Sequence, residues 1–315
     1  MAELASLSIT GSFTIGNTPT TSSGYMWFNY ETNKLEYSWV GASWSTGGSL
    51  QSTRSLLAGA GTQNATLAFG GNPIQFINTE GYDGVAWSGA GALSDSRYGL
   101  AGAGTQNAAL AFGGYDDSFS VVSCTEEYNG TSWATSMFLS TPRRYLAGAG
   151  TQNAALAFGG DADFSTCSCT EEYDGIGWAS GGALLDARCG LAGAGTQNAA
   201  LSFGGDPSSG VEKYNGTSWS SENLMINGRL QLAGAGTQNA ALAFGGVIAP
   251  IYGVDCTEAY DGTSWSVGGG LITARQELAG AGTQASPLAF GGKLSNNQST
   301  PITEFLFEGP QICSL

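Results

Sequence analysis

Six arginines recur in register along the chain: Arg54, Arg97, Arg143, Arg188, Arg229 and Arg275. Each lies 10 residues after a tryptophan (Trp44, Trp87, Trp133, Trp178, Trp219, Trp265) and 3 residues before the leucine of the string LAGAGTQ. Six glutamates, Glu80, Glu126, Glu171, Glu212, Glu258 and Glu304, mark a second recurring position. Guanidinium groups beside carboxylates can gather into a cluster that holds an anionic substrate, or they can close on each other as fixed ion pairs. A catalytic site is needed once, and these residues occur six times. The repetition therefore predicts six partly buried Arg–Glu pairs linking the first and third strands of a repeating unit.

Other chemistry is narrower still. Histidine is absent, so no Ser-His-Asp or Cys-His nucleophile and no His-ligated zinc, copper or iron site can be built. The repeated glutamines, Gln63, Gln106, Gln152, Gln197, Gln238 and Gln284, are expected to satisfy turn backbone near an axis. Asp116, Asp117, Asp161 and Asp163 have the oxygen chemistry calcium prefers, without a complete calcium-loop spacing. No cofactor and no metal is expected. Cys124, Cys169 and Cys256 each precede the Thr of the same motif, so they read as equivalent, mostly free thiols, with a disulfide at Cys167 or Cys189 left open.

The elements that must position these residues follow from the repeat. LAGAGTQ begins at Leu57, Leu100, Leu146, Leu191, Leu232 and Leu278, with spacings of 43, 46, 45, 41 and 46. Each copy continues into an apolar run ending in Phe-Gly-Gly, then a variable stretch, a Thr-Glu-x-Tyr-like segment, an Asn-Gly or Asp-Gly turn, and the Trp. This reads as four short strands with tight turns and no helical periodicity. Four antiparallel strands repeated at this period predict an all-β propeller. Bookkeeping gives six blades. The first fourth-strand is N-terminal and the last third-strand C-terminal, so the two would pair and close the ring. A hairpin near residues 26–39 leaves a seventh blade as the alternative.

Double glycine, tyrosine, tryptophan and arginine in register resemble a kelch repeat across residues 42–309, with Tyr/Trp pairs at 82/87, 128/133, 173/178, 214/219 and 260/265. The near-identical LAGAGTQNAALAFGG block departs from cellular kelch proteins and resembles repeat proteins of tailed, especially marine, phages. The resemblance implies a virion protein made in the host cytoplasm. Segment 1–40, with GYMWFNYETNKLEY, is similar to short modules ahead of phage fibre domains. It reads as an arm that attaches to other virion proteins, ahead of a propeller over 41–315.

Among the loops, those between second and third strands vary, and variable loops on a constant scaffold are where binding concentrates. Their candidate ligand residues are Phe76, Tyr115, Asp116, Asp117, Phe119, Asp161, Asp163, Phe164, Asp206, Tyr252 and Asp255. Aromatics beside carboxylates suit sugars. Net charge is −15, which argues against nucleic acid. No run of 18 apolar residues exists, so no membrane insertion is expected, and the opening residues lack the features of a standard signal peptide. The expectation is a non-enzymatic, homo-oligomeric virion protein, a tail-fibre or appendage propeller binding a host surface glycan or protein. A capsid decoration protein, a glycan-active six-bladed hydrolase and an intracellular kelch adaptor are the alternatives. A galactose-oxidase-like copper site is excluded by the missing histidine.

Overall fold

The computed structural model describes residues 25–29, 34–73, 77–206, 209–248 and 253–314, with side chains between 43 and 306. Five four-stranded antiparallel sheets repeat one pattern. In the second of them the strands are Ala101–Thr105, Ala108–Phe112, Thr125–Tyr128 and Trp133–Thr135. The sixth sheet runs Ala279–Gly282, Pro287–Phe290, Thr303–Ser314, Lys34–Thr46 and Tyr25–Asn29. N- and C-terminal strands thus share one blade, and the expected six-bladed closure is observed. The hairpin Tyr25–Asn29/Lys34–Thr46 belongs to this sheet rather than to a seventh. Contacts divide the chain into a unit Trp44–Leu306 and a unit of Met1–Ser43 with Phe307–Leu315. The expected strand at residues 8–15 lies outside the described residues.

Each blade presents one face to each neighbour, so its second strand is apolar almost throughout, with buried Thr66 and Ser202 as the exceptions. In the second blade Ala101, Ala103, Leu110 and Phe112 pack with Ala155, Ala157, Tyr173 and Trp178 of the third. The first glycine of each LAGAG faces the other way. A Cβ on Gly148 would stand 2.7 Å from Cζ of Phe112, and one on Gly102 would stand 2.6 Å from Cζ of Phe69. The same holds at Gly59, Gly193, Gly234 and Gly280. The phenylalanine of one blade therefore uses the space a side chain would fill on the next. Its ring also meets the tryptophan of that next blade, as in Phe69–Trp133 with centroids 4.9 Å apart and Phe112–Trp178 at 5.0 Å. Phe244–Trp44 at 5.2 Å and Phe290–Trp87 at 5.1 Å complete the circle. Such tilted pairs add about 0.5–1.5 kcal/mol beyond the area they bury.

Polar contacts follow the same circle. Nε2 of Gln106 donates to the carbonyls of Thr66 and Tyr82 on the preceding blade, at 3.2 and 2.6 Å. Gln63, Gln152, Gln197, Gln238 and Gln284 do likewise. The expectation that they satisfy turn backbone near the axis is corrected: the amide reaches across the blade gap, because the neighbour's strand-end carbonyls face it. Around the axis, a closed ring of backbone hydrogen bonds runs from Leu56 through Gly99, Tyr145, Gly190, Gln231 and Glu277, each N–H donating to the previous carbonyl at 2.7–2.9 Å. All six residues are left-handed, with φ between 53 and 63°.

The tryptophan Nε1 usually finds a threonine on the preceding blade. Trp87, Trp133, Trp178 and Trp219 donate to Oγ1 of Thr303, Thr79, Thr125 and Thr170 at 2.9–3.0 Å. Val211 occupies that position before Trp265, and Nε1 of Trp265 is buried without a partner among the described residues. Val211→Thr is expected to stabilise the fold by about 1 kcal/mol, read as a higher denaturant midpoint. A lower midpoint, the usual result of burying a hydroxyl, would refute the assignment.

The third-to-fourth turns are capped by Asn129 and Asn215 or by Asp83, Asp174 and Asp261, whose Oδ1 accepts two backbone N–H groups. These bonds, led by those to Ala86, Gly177 and Ser264, hold the three carboxyls below the usual 3.8. A pKa lowered in the folded chain contributes stability above the unfolded value and loses it as pH falls through the folded one. Replacing all three aspartates by Asn should flatten the decline of the thermal midpoint below about pH 4. An unchanged slope would show that the caps do not couple to folding.

Candidate functional site

Strand order places the first-to-second and third-to-fourth turns at one end of each blade. A Cβ on Gly130 would fall 3.7 Å from Cβ of Asn107, and one on Gly175 would fall 3.3 Å from Cβ of Asn153, so the two short turns touch. The variable second-to-third loops and the crossovers between blades lie at the other end, which is the candidate binding face.

All six expected ion pairs form: Arg54–Glu80, Arg97–Glu126, Arg143–Glu171, Arg188–Glu212, Arg229–Glu258 and Arg275–Glu304. Every one of these side chains is buried. Nη1 of Arg97 donates to Gly113 O at 3.2 Å and Cys124 O at 2.6 Å. Those carbonyls flank the variable loop, and Arg54, Arg143 and Arg275 bridge the same two points in their blades. The second glutamate oxygen accepts a backbone N–H from the incoming crossover, for example Ser94 N to Glu126 at 2.7 Å and Ser140 N to Glu171 at 2.7 Å. One pair therefore fastens both connections at the loop end. Burial, exceeding the attraction of the paired glutamate, lowers the guanidinium pKa of Arg54, Arg143 and Arg275 to about 10. These groups stay charged near neutrality.

The loop candidates divide. Phe119 and Phe164 project into solvent, 62% and 81% exposed. Asp117, Asp163, Asp206 and Asp255 are exposed as well, with Asp117 accepting from Ser96 Oγ at 2.9 Å. Tyr115 and Asp161 turn inward rather than outward. Tyr115 is covered by Tyr98 and Phe119, with centroids at 5.5 and 6.2 Å. Asp161 is held by the Arg144 guanidinium at 3.0 Å. Asp116 folds back to cap Ser118 N and Ser120 N at 2.9 and 2.8 Å, which makes it a loop-shaping residue. Phe76 and Tyr252 lie outside the described residues.

Arg144 is the side chain that sequence reasoning missed. Its guanidinium carbon lies 4.4 Å from the Tyr115 ring centroid, 5.0 Å from Tyr145 and 5.3 Å from Phe164. It thereby joins the loops of the second and third blades through cation–π contacts. Partial burial lowers its pKa, but the Asp161 hydrogen bond and neighbouring acidic groups outweigh this, and the net shift is upward. The available signal was a basic residue outside the repeat register, where the other units carry Ser55, Tyr98, Cys189, Leu230 and Gln276.

Two further features bound the chemistry. Cys167 and Cys169 are joined as a disulfide, so Cys169 differs from its equivalents Cys124 and Cys256, which are free with Cys189. The adjacency of Cys167 in this one loop separates it from the other repeats. Among the described residues, no three His, Cys, Asp or Glu side chains are grouped to hold a metal ion.

Removing one partner of a buried pair strands the other charge. Arg97→Ala and Arg143→Ala should each destabilise the fold by about 3–5 kcal/mol, measured by chemical denaturation. An effect at only one of the two would mark that arginine as a specialised site.

The chain matches no protein-family model and no curated protein. The geometry itself establishes an all-β, six-bladed propeller whose repeated polar residues are used in its own assembly.

Proposed function

We propose that this chain is a non-enzymatic binding propeller displayed on a bacteriophage particle, on a tail fibre or similar appendage, where its loop face engages host surface glycans. One observation carries the binding role. The repeated Arg, Glu, Gln and Trp are used in holding blades together, while exposed aromatics and carboxylates collect on loops that differ from blade to blade. Variation concentrated in the loops at one end of a constant ring suits recognition. The virion assignment is supported by the resemblance of the LAGAGTQNAALAFGG block and of residues 24–37 to phage proteins. In this reading residues 1–40 attach the propeller to other virion proteins and the assembly is a homo-oligomer.

Immunogold labelling of purified particles with an antibody to the propeller tests it. Label on the tail is the expected result. Label on the head would replace the receptor role with capsid decoration, and unlabelled particles would overturn the virion assignment.

A further inference from the structure

Phe119 and Phe164 each sit where folding gives no reason for a phenylalanine. Phe119 lies in the loop between Tyr115–Asp116 and Val121, which Asp116 closes through the N–H groups of Ser118 and Ser120. Its φ is 57°. Phe164 lies in the two-residue turn between Asp161–Ala162 and Ser165–Thr166. Asp163 and Phe164 have φ of 50° and 64°. Glycine or asparagine is the ordinary occupant of such left-handed positions, and a bulky side chain there is strained. Solvent exposure of 62% and 81% means that neither ring recovers much of that cost by burial. Exposed apolar residues elsewhere on the propeller, such as Val85, Ile176 and Met137, carry no such backbone strain.

The two rings belong to one surface. Phe119 touches Tyr115, Tyr115 lies under Arg144, and Arg144 lies against Phe164. Arg144 is anchored by Asp161, so the platform is pre-ordered and little rotamer freedom remains to be lost on binding. A cavity of about 300 Å³ opens at the loop that carries Phe119, lined in part by Asp95, Ser96, Arg97, Asp116, Asp117 and Ser118, whose carboxylate and hydroxyl oxygens can bond to the hydroxyl groups of a ligand. Among the described second-to-third loops, only these two expose an aromatic ring.

Charge selects the ligand. With six arginines and six glutamates buried against each other, four basic and nineteen acidic residues remain on the chain. Arg144, Lys213 and Lys293 among those bases are already paired with carboxylates. A polyanion would be repelled.

We infer that Phe119 and Phe164, held from beneath by Tyr115 and Arg144, form a stacking platform for an uncharged polysaccharide, its hydroxyl groups bonding in the Asp116–Asp117 cavity of the same loop. This rests on the glycan-binding reading and locates it on the second and third blades.

The test exploits the strain. Phe119→Gly and Phe164→Gly, singly and together, are compared with the full chain for thermal midpoint and for binding to a printed panel of neutral and acidic bacterial polysaccharides. Glycine relieves the left-handed backbone, so the midpoint should hold or rise by about 2 °C per site. Binding to neutral polysaccharide should fall by about tenfold or more per ring. A lowered midpoint would make the rings structural and overturn the platform. An unchanged midpoint with retained binding would also overturn it, leaving glycan recognition to another loop. Preference of the unaltered chain for acidic polysaccharides would refute the charge argument. Failure of the unaltered chain to bind any polysaccharide would refute the platform and the glycan reading together.

Discussion

The ring depends on how closely one blade can approach the next. The tip of a phenylalanine on each second strand stands where the following blade's inner-strand glycine has no Cβ. Any side chain there would push the blades apart or displace the ring. The same phenylalanine then meets the neighbour's tryptophan, and the close approach brings glutamine amides within reach of the neighbour's carbonyls. Around the axis it lets six backbone N–H groups close a circle. Dispersion contacts of this kind are individually small and collectively large, and repeating them six times leaves no free blade edge at the seam.

On that scaffold the Arg–Glu pair separates constancy from variation. Its guanidinium clasps both ends of the variable loop and its carboxylate clasps the incoming crossover. The loop between the clasped ends can then change length and composition without altering the blade. A buried ion pair is poor evidence for net stability, because desolvation offsets much of the attraction. Its value here is geometric: the glutamate holds the crossover in every blade, and the arginine holds both ends of the variable loop in four of them. Surface charge is left strongly acidic, because the repeat places most of the chain's cations inside.

Binding potential sits where the repeat is broken. Arg144 occupies a position that no other blade fills with a base, and it gathers Tyr115, Tyr145, Phe164 and Asp161 from two blades. Two residues that look like exposed ligand groups in the sequence, Tyr115 and Asp161, instead support the exposed Phe119 and Phe164. Left-handed residues of the axial ring, such as Leu56 and Tyr145, close a circle of backbone hydrogen bonds, whereas the exposed phenylalanines at these two tips recover little by burial.

Much of this was legible in the chain itself. The period, the turn residues and the register of Trp, Arg and Glu determined a six-bladed propeller closed by its terminal strands, because each is a local signal repeated at a fixed distance. The Arg–Glu pairing was legible too, since six copies of two opposite charges at matching positions leave few other partners. What tertiary structure decided is everything that crosses between blades or between loops: the glutamine bonds, the phenylalanine over glycine, the Trp265 nitrogen that lacks a partner among the described residues, and the cluster around Arg144. Residues such as Arg144 and Tyr115, or Gly148 and Phe112, meet only once the blades are in place. Their contact depends on blade-to-blade distance and loop direction, which no local spacing encodes.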